Sequence, residues 1–303
     1  MKKPTGSLGP ISLISRLRRG IINAFLSILT KPIKRYTLTI PNDVAALERY
    51  VRKGDVVLVE GNQRISECIK YLTQSSWSHS ALYVGDEPLR RDPELQRRLI
   101  EEFGENDANH LLVEALVEKG VVLTPLRHYA EFNIRLCRPY HLTPNDLAVV
   151  LARALASVGH TYDLRNIFDL ARYFFPVSVV PPSLGREALH FGSGEPTRVI
   201  CSSMIAECFQ QVRFPILPIF EPYAEGQRPG PPARLWQMLR RVRSPGGVFR
   251  TVSPSLVTPR DFDLSPYFEI VKFNIIESMR FDYRKMIWAD AEQAQAHKLG
   301  KSA

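Results

Sequence analysis

The stretch Val199-Ile-Cys-Ser-Ser-Met-Ile-Ala-Glu-Cys-Phe-Gln210 constrains the chain more than any other. An extended apolar pair leads into Cys201, two serines follow, and Met204, Ile205, Cys208 and Phe209 then recur at helical spacing. This pattern predicts a helix that starts at Cys201 or just after it. At a helix start the backbone N–H groups are free and the dipole is positive, and both favour a thiolate. A nucleophilic cysteine belongs at such a position. A small buried apolar residue is the other reading of the same cysteine.

Short apolar runs bounded by turn residues predict strands at Val56–Val59, Ser80–Val84, Leu111–Leu116, Gly120–Pro125 and Asn133–Pro139, and again at Phe268–Phe273. Between them, helices are expected from the Asn42 or Asp43 cap to Tyr50, over Arg64–Thr73 and over Pro144–Val158, with Thr143 or Asn145 capping the last. Arg234–Arg243 also reads as helical. The charged run Arg90–Asn109 reads as an exposed helix or insertion without chemistry. Residues 168–198, rich in Pro, Gly and aromatics, fit a lid or substrate-facing loop and equally a packed surface excursion.

Two more residues stand out against their surroundings. His79 opens the strand Ser80–Val84, where it fits either a satisfied core histidine or a base. Glu114 shares a strand face with Leu112 inside an otherwise apolar strand, so its carboxylate must be paired or open into a cleft. Cys201, His79 and Glu114 together have the makings of a nucleophile, a base and an orienting carboxylate, if the fold joins them. His160 follows a helix end and reads as a cap rather than a ligand, and Cys137 reads as core.

The four cysteines lie far apart with no CxxC pair. This argues against a zinc site and a disulfide framework, and fits a reducing compartment. No metal or organic cofactor is expected. The net charge of +9 is concentrated at the start, where residues 1–42 carry eight Lys or Arg and no acid. Ile14, Leu17, Ile21, Phe25 and Ile28 recur there at helical spacing. A basic amphipathic helix of this kind suits an anionic membrane surface, and docking on the protein's own core is an equal alternative. Its uncharged run is too short to span a bilayer. Nucleic acid is an unlikely partner, because no aromatic-interleaved basic patch accompanies the charge.

The blocks Lys53-Gly-Asp-Val-Val-Leu-Val59, Arg64-Ile-Ser66 through Thr73-Gln-Ser-Ser-Trp-Ser-His-Ser-Ala-Leu-Tyr-Val-Gly85, Val113-Glu-Ala115 and Cys201-Ser-Ser-Met-Ile205 occur in that order. In this the chain resembles the permuted NlpC-like papain-fold cysteine hydrolases of the YiiX and YebB kind, and more distantly the lecithin:retinol acyltransferase group. Gly159–Asp163, Thr258-Pro-Arg-Asp-Phe262 and Ser265-Pro266 extend the likeness, which runs from about Val51 to Lys272. The resemblance implies an α+β, circularly permuted papain-like (NlpC-like) fold with an antiparallel sheet packed against helices. It assigns Cys201 as nucleophile, His79 as general base and Glu114 as the orienting third residue.

The expected organisation is a basic amphipathic segment at 1–42, a permuted papain-like domain at 43–288 and a polar tail at 289–303. The expected activity is that of a cysteine hydrolase or acyltransferase. It acts through a covalent acyl-enzyme on an amide, ester or thioester of an acyl-lipid or a peptide. A non-catalytic lipid- or peptide-binding protein at a membrane surface is the alternative. A cytoplasmic location is expected, with peripheral membrane contact left open through residues 1–42.

Overall fold

In chain order the elements are α1 (Val44–Tyr50), β1 (Val56–Val59), α2 (Arg64–Thr73), β2 (His79–Gly85), α3 (Pro93–Phe103), α4 (Glu105–Ala108), β3 (Leu111–Leu116), β4 (Gly120–Pro125), β5 (Ile134–Pro139), α5 (Pro144–Ala156), α6 (Ile200–Gln210), β6 (Ile219–Pro222), β7 (Gly247–Arg250), α7 (Pro259–Leu264) and β8 (Phe268–Val271). They are those of a computed structural model that describes residues 27, 30–32, 42–117, 119–161, 200–222 and 247–273. The expected amphipathic helix of residues 1–42 (apart from residues 27 and 30–32), the loop at 168–198, the helix Arg234–Arg243 and the tail at 289–303 lie outside the described residues.

Six strands form one sheet in the order β4-β3-β2-β1-β5-β8, every neighbouring pair antiparallel. β6 and β7 pair separately. β1 is central, and its four apolar residues are all buried. Val56 and Leu58 face one core and Val57 and Val59 the other, which is why this strand reads as a continuous apolar run rather than an alternation. The first core is roofed by α2, α5 and α6, through Ile65 and Ile69, Val150, Leu151 and Ala154, and Met204, Ile205 and Phe209. The second is closed by Leu47 of α1 with Leu126, Tyr129 and Phe273.

Local chemistry sets the helix boundaries. Asp43 accepts from the Ala46 N–H at 3.0 Å and starts α1. Thr143 accepts from the Asp146 N–H at 3.2 Å, and Pro144 at the first position needs no N–H partner, so α5 starts there. Thr258 and Asp261 form a capping box at α7. The α5 chain then turns back onto the sheet rim. The Val121 N–H donates to the His160 carbonyl and the Gly159 N–H to the Val121 carbonyl, both at 2.9 Å. Gly120 opens β4 at φ +75°, and a Cβ there would stand 2.3 Å from the His160 carbonyl oxygen, so only glycine fits. His160 itself is exposed and ends the helix through its backbone.

Two polar clusters fasten the sheet. Asp55 is fully buried and held by a two-bond grip from Arg138, Nε to Oδ1 at 2.9 Å and Nη2 to Oδ2 at 2.7 Å. Asp263 of α7 accepts from Arg135 of β5 and, at 3.0 Å, from Trp77 Nε1. The Arg135 guanidinium lies 5.0 Å from the Trp77 ring centroid. α7 is thereby tied to the segment that leads into β2.

Candidate active site

Cys201 is the second residue of α6, which starts one residue earlier than the sequence pattern predicts and so keeps Cys201 in the first turn. The α6 face bearing Met204, Ile205, Cys208 and Phe209 packs into the first core. Ser202 locks the helix start, its fully buried hydroxyl donating to the Val257 carbonyl at 2.5 Å. His79 is the first residue of β2 and Glu114 lies in β3, the neighbouring strand. The register pairs Leu82 with Val113 and Tyr83 with Leu112. Continued, it sets Glu114 opposite Ala81, with His79 two residues further along on the same face.

The structure brings all three residues together. His79 Nε2 and Glu114 Oε2 are 2.5 Å apart. The Cys201 sulfur lies close enough to the same imidazole for the two charges to support one another. With Nε2 held by the carboxylate, Nδ1 is the ring nitrogen left for the sulfur. The His79 side chain is 18% exposed while Glu114 is fully buried, so the charge pair opens toward solvent only at the imidazole.

Burial and the neighbouring charges oppose one another here. Burial pushes the His79 pKa down, but the Cys201 sulfur and the Glu114 carboxylate outweigh it and hold the ring at about 10. Burial also pushes the Cys201 thiol up, but His79, with a smaller contribution from Ser80, brings it below the ordinary cysteine value. Glu114 is pushed up by burial and brought lower than usual by His79, Thr124 and Tyr129. The other three cysteines go the opposite way. Burial raises Cys68, and raises Cys137 and Cys208 to about 12. Cys201 is thus the one cysteine of the four poised as a thiolate, beside an imidazolium that a buried carboxylate supports. This arrangement can supply a nucleophile and a proton to the two sides of one bond.

Two neighbours carry no signal in the sequence. Tyr129 ends a short 3-10 turn (Leu126–Tyr129) after β4. Its hydroxyl donates to Glu114 Oε2, the oxygen that also meets His79, and its ring centroid lies 6.0 Å from that of His79. Four residues without periodicity give no reason to single it out. Ser80, next to His79, points to the opposite face of β2, where it is fully buried, and it helps lower the Cys201 thiol.

Residues 50–175 match the family described as permuted papain-like amidase enzyme, YaeF/YiiX, C92 family. Over those residues the chain is similar to permuted papain-like proteins of the YiiX kind. The matched residues take in His79 and Glu114 and stop short of Cys201. The general chemistry of this family is that of a cysteine hydrolase of amides. No curated protein matches the chain. Among solved structures it is similar to one described as the metalloprotein yiiX from Escherichia coli O157:H7, at 16% identity and a TM-score of 0.40, covering 74% of this chain and 97% of that one. Among the described residues here, no cluster of three or more His, Cys, Asp or Glu side chains is arranged to hold a metal ion. No helix among them is long and apolar enough to cross a membrane.

Proposed function

We propose that the protein hydrolyses an amide through a covalent acyl-enzyme on Cys201. The Cys201–His79–Glu114 contact, with a lowered thiol and a raised imidazole, carries this reading. In the resting pair the sulfur is ionised and His79 holds the proton. The thiolate attacks the carbonyl carbon, the C–S bond forms and the carbonyl π pair moves to oxygen. The free N–H groups at the start of α6 would stabilise that oxyanion. Collapse expels the amine, which takes the proton from His79, and leaves a thioester. Water then gives a proton to His79 and adds to the thioester carbon. The second collapse breaks the C–S bond, releases the acid and restores the thiolate–imidazolium pair. Glu114 holds the ring in one tautomer throughout.

An acyl group linked to a lipid, as ester or thioester, would enter the same cycle. The basic segment 1–42 supports a substrate close to an anionic surface. The test is site-resolved labelling. Iodoacetamide at mildly acidic pH should mark Cys201 and leave Cys68, Cys137 and Cys208 unmarked, and His79→Ala should abolish the label. A peptide-amide, lipid-ester and thioester panel should then show turnover that Cys201→Ala removes. If Cys201 labels no faster than Cys137, the proposal fails and the fold serves binding alone.

A further inference from the structure

Two donors meet one oxygen of Glu114. His79 Nε2 lies 2.5 Å from Oε2, and the Tyr129 hydroxyl donates to the same atom. A carboxylate oxygen divides its charge among the donors it accepts, so a second donor weakens its hold on the first. Tyr129 is fixed in this place. It is 6% exposed, so a substrate arriving from solvent does not reach its hydroxyl. The ring centroids of His79, His128 and Phe132 stand 6.0, 5.0 and 5.6 Å from its own. The Asn42 side chain pins the turn that follows it, donating to the Ala130 and Phe132 carbonyls at 2.8 and 2.7 Å. Burial and the Glu114 charge push the phenol's pKa up, so it remains a donor while His79 titrates.

We propose that Tyr129 is a positioning residue for the proton on His79: by sharing Glu114 Oε2, it keeps the carboxylate from holding the imidazolium too tightly to give that proton up. This rests on the reading of Cys201 as nucleophile given above. When the tetrahedral intermediate on Cys201 collapses, the carbonyl π bond re-forms and the C–N bond breaks. The C–N pair goes to nitrogen, which takes the Nδ1 proton of His79 while Nε2 stays bonded to Glu114. An imidazolium paired with an unshared carboxylate is a weaker acid and surrenders its proton more slowly. A leaving group that is stable as an anion needs no proton. Tyr129 therefore matters for amides and not for activated esters, whereas a purely structural tyrosine would serve both equally. Among the described residues, the titratable groups that face His79 are Glu114 from β3, Cys201 from α6 and Tyr129 itself, with exposed His128 against the phenol ring.

The experiment follows the His79 ring by nuclear magnetic resonance across pH, in the full chain with isotope-labelled histidine and with His79→Ala to assign the signal. Tyr129→Phe should raise the pH at which the ring titrates by about one unit, a tenfold tighter hold on the proton. In parallel, first-turnover release is timed from the p-nitroanilide and the p-nitrophenyl ester of one acyl group. In Tyr129→Phe the anilide should slow by about three- to tenfold and the ester should stay within about twofold. Should Tyr129→Phe not fold, a ring-fluorinated tyrosine at position 129, a stronger donor of similar shape, should lower the titration of the ring instead. If the anilide is too poor a substrate to time, the ring titration decides alone. A folded variant whose His79 titration stays in place, or in which anilide and ester slow together, overturns the role of Tyr129 and leaves Cys201 untouched. A wild type that releases neither product and whose Cys201 alkylates no faster than Cys137 overturns the nucleophile reading itself.

Discussion

Replacing Glu114 by Gln keeps the size and removes only the charge that supports His79. The amide oxygen, standing where Oε2 lies, can still accept from both Nε2 and the Tyr129 hydroxyl, so the local geometry has no reason to collapse. What disappears is a charge-assisted bond at 2.5 Å to a fully buried carboxylate. Hydrogen bonds to charged groups contribute about 1.5–3 kcal/mol. That corresponds to a fall of roughly 1–2 pH units in the His79 pKa. With His79 at about 10 in the native protein, the thiolate–imidazolium pair persists until the pH rises through that value. In Glu114→Gln the alkaline limb of Cys201 alkylation should move down to between about 8 and 9. Amide turnover below that limb should drop roughly 10- to 100-fold. Circular dichroism and a denaturant titration check that the variant is folded. A folded Glu114→Gln protein whose alkaline limb stays in place would refute the claim that the carboxylate supports the ring.

Tyr129→Phe should shift the same limb the opposite way, to higher pH. Without the phenol, Glu114 Oε2 answers to His79 alone, and a less satisfied carboxylate holds the imidazolium more firmly. Folding stability should fall with rising pH as His79 deprotonates: its raised folded value makes its contribution complete below about 6.5 and lost as pH climbs through about 10. Chemical denaturation of wild type and His79→Ala across that window checks the difference. Arg138→Met strips Asp55 of its two-bond partner while it stays buried, and should cost about 3–5 kcal/mol in a denaturant titration, with part of the loss recovered by adding Asp55→Asn. Removing residues 1–42 should abolish pelleting with anionic liposomes and leave Cys201 labelling unchanged.

Much of this fold is written in local pattern. Val56–Val59, Arg64–Thr73, Leu111–Leu116 and Gly120–Pro125 have the bounds that apolar runs and turn residues predict, and α5 ends two residues before its apolar stripe does. Cys201 is legible because a helix start is a sequence event. Glu114 is legible because a carboxylate in an apolar strand demands a reason. The meeting of His79 with Cys201 depends on how α6 packs over β2, which no local pattern encodes. Tyr129 and Ser80 show two further limits. Tyr129 reaches Glu114 from an aperiodic turn, and Ser80 looks like an ordinary strand residue until α6 brings the Cys201 thiol under its influence. The β6–β7 pair was also silent, since its two strands are too short and too separated to signal one another.

The order in which the site's parts leave the ribosome follows from the strand arrangement. Five of the six sheet strands, with the whole Glu114–His79 pairing across 35 residues, lie before Pro139. The edge strand β8 and the bond between Trp77 and Asp263, 186 residues apart, come last. In a chain that emerges N-terminus first, the proton-handling half can therefore assemble while α6 is still unmade. Until α6 docks over β2, Cys201 has neither His79 nor Ser80 to lower it and behaves as an ordinary protonated thiol. The nascent chain is thus chemically quiet, and nucleophilicity arrives only with completed folding, as a property of the finished molecule that unfolding switches off again.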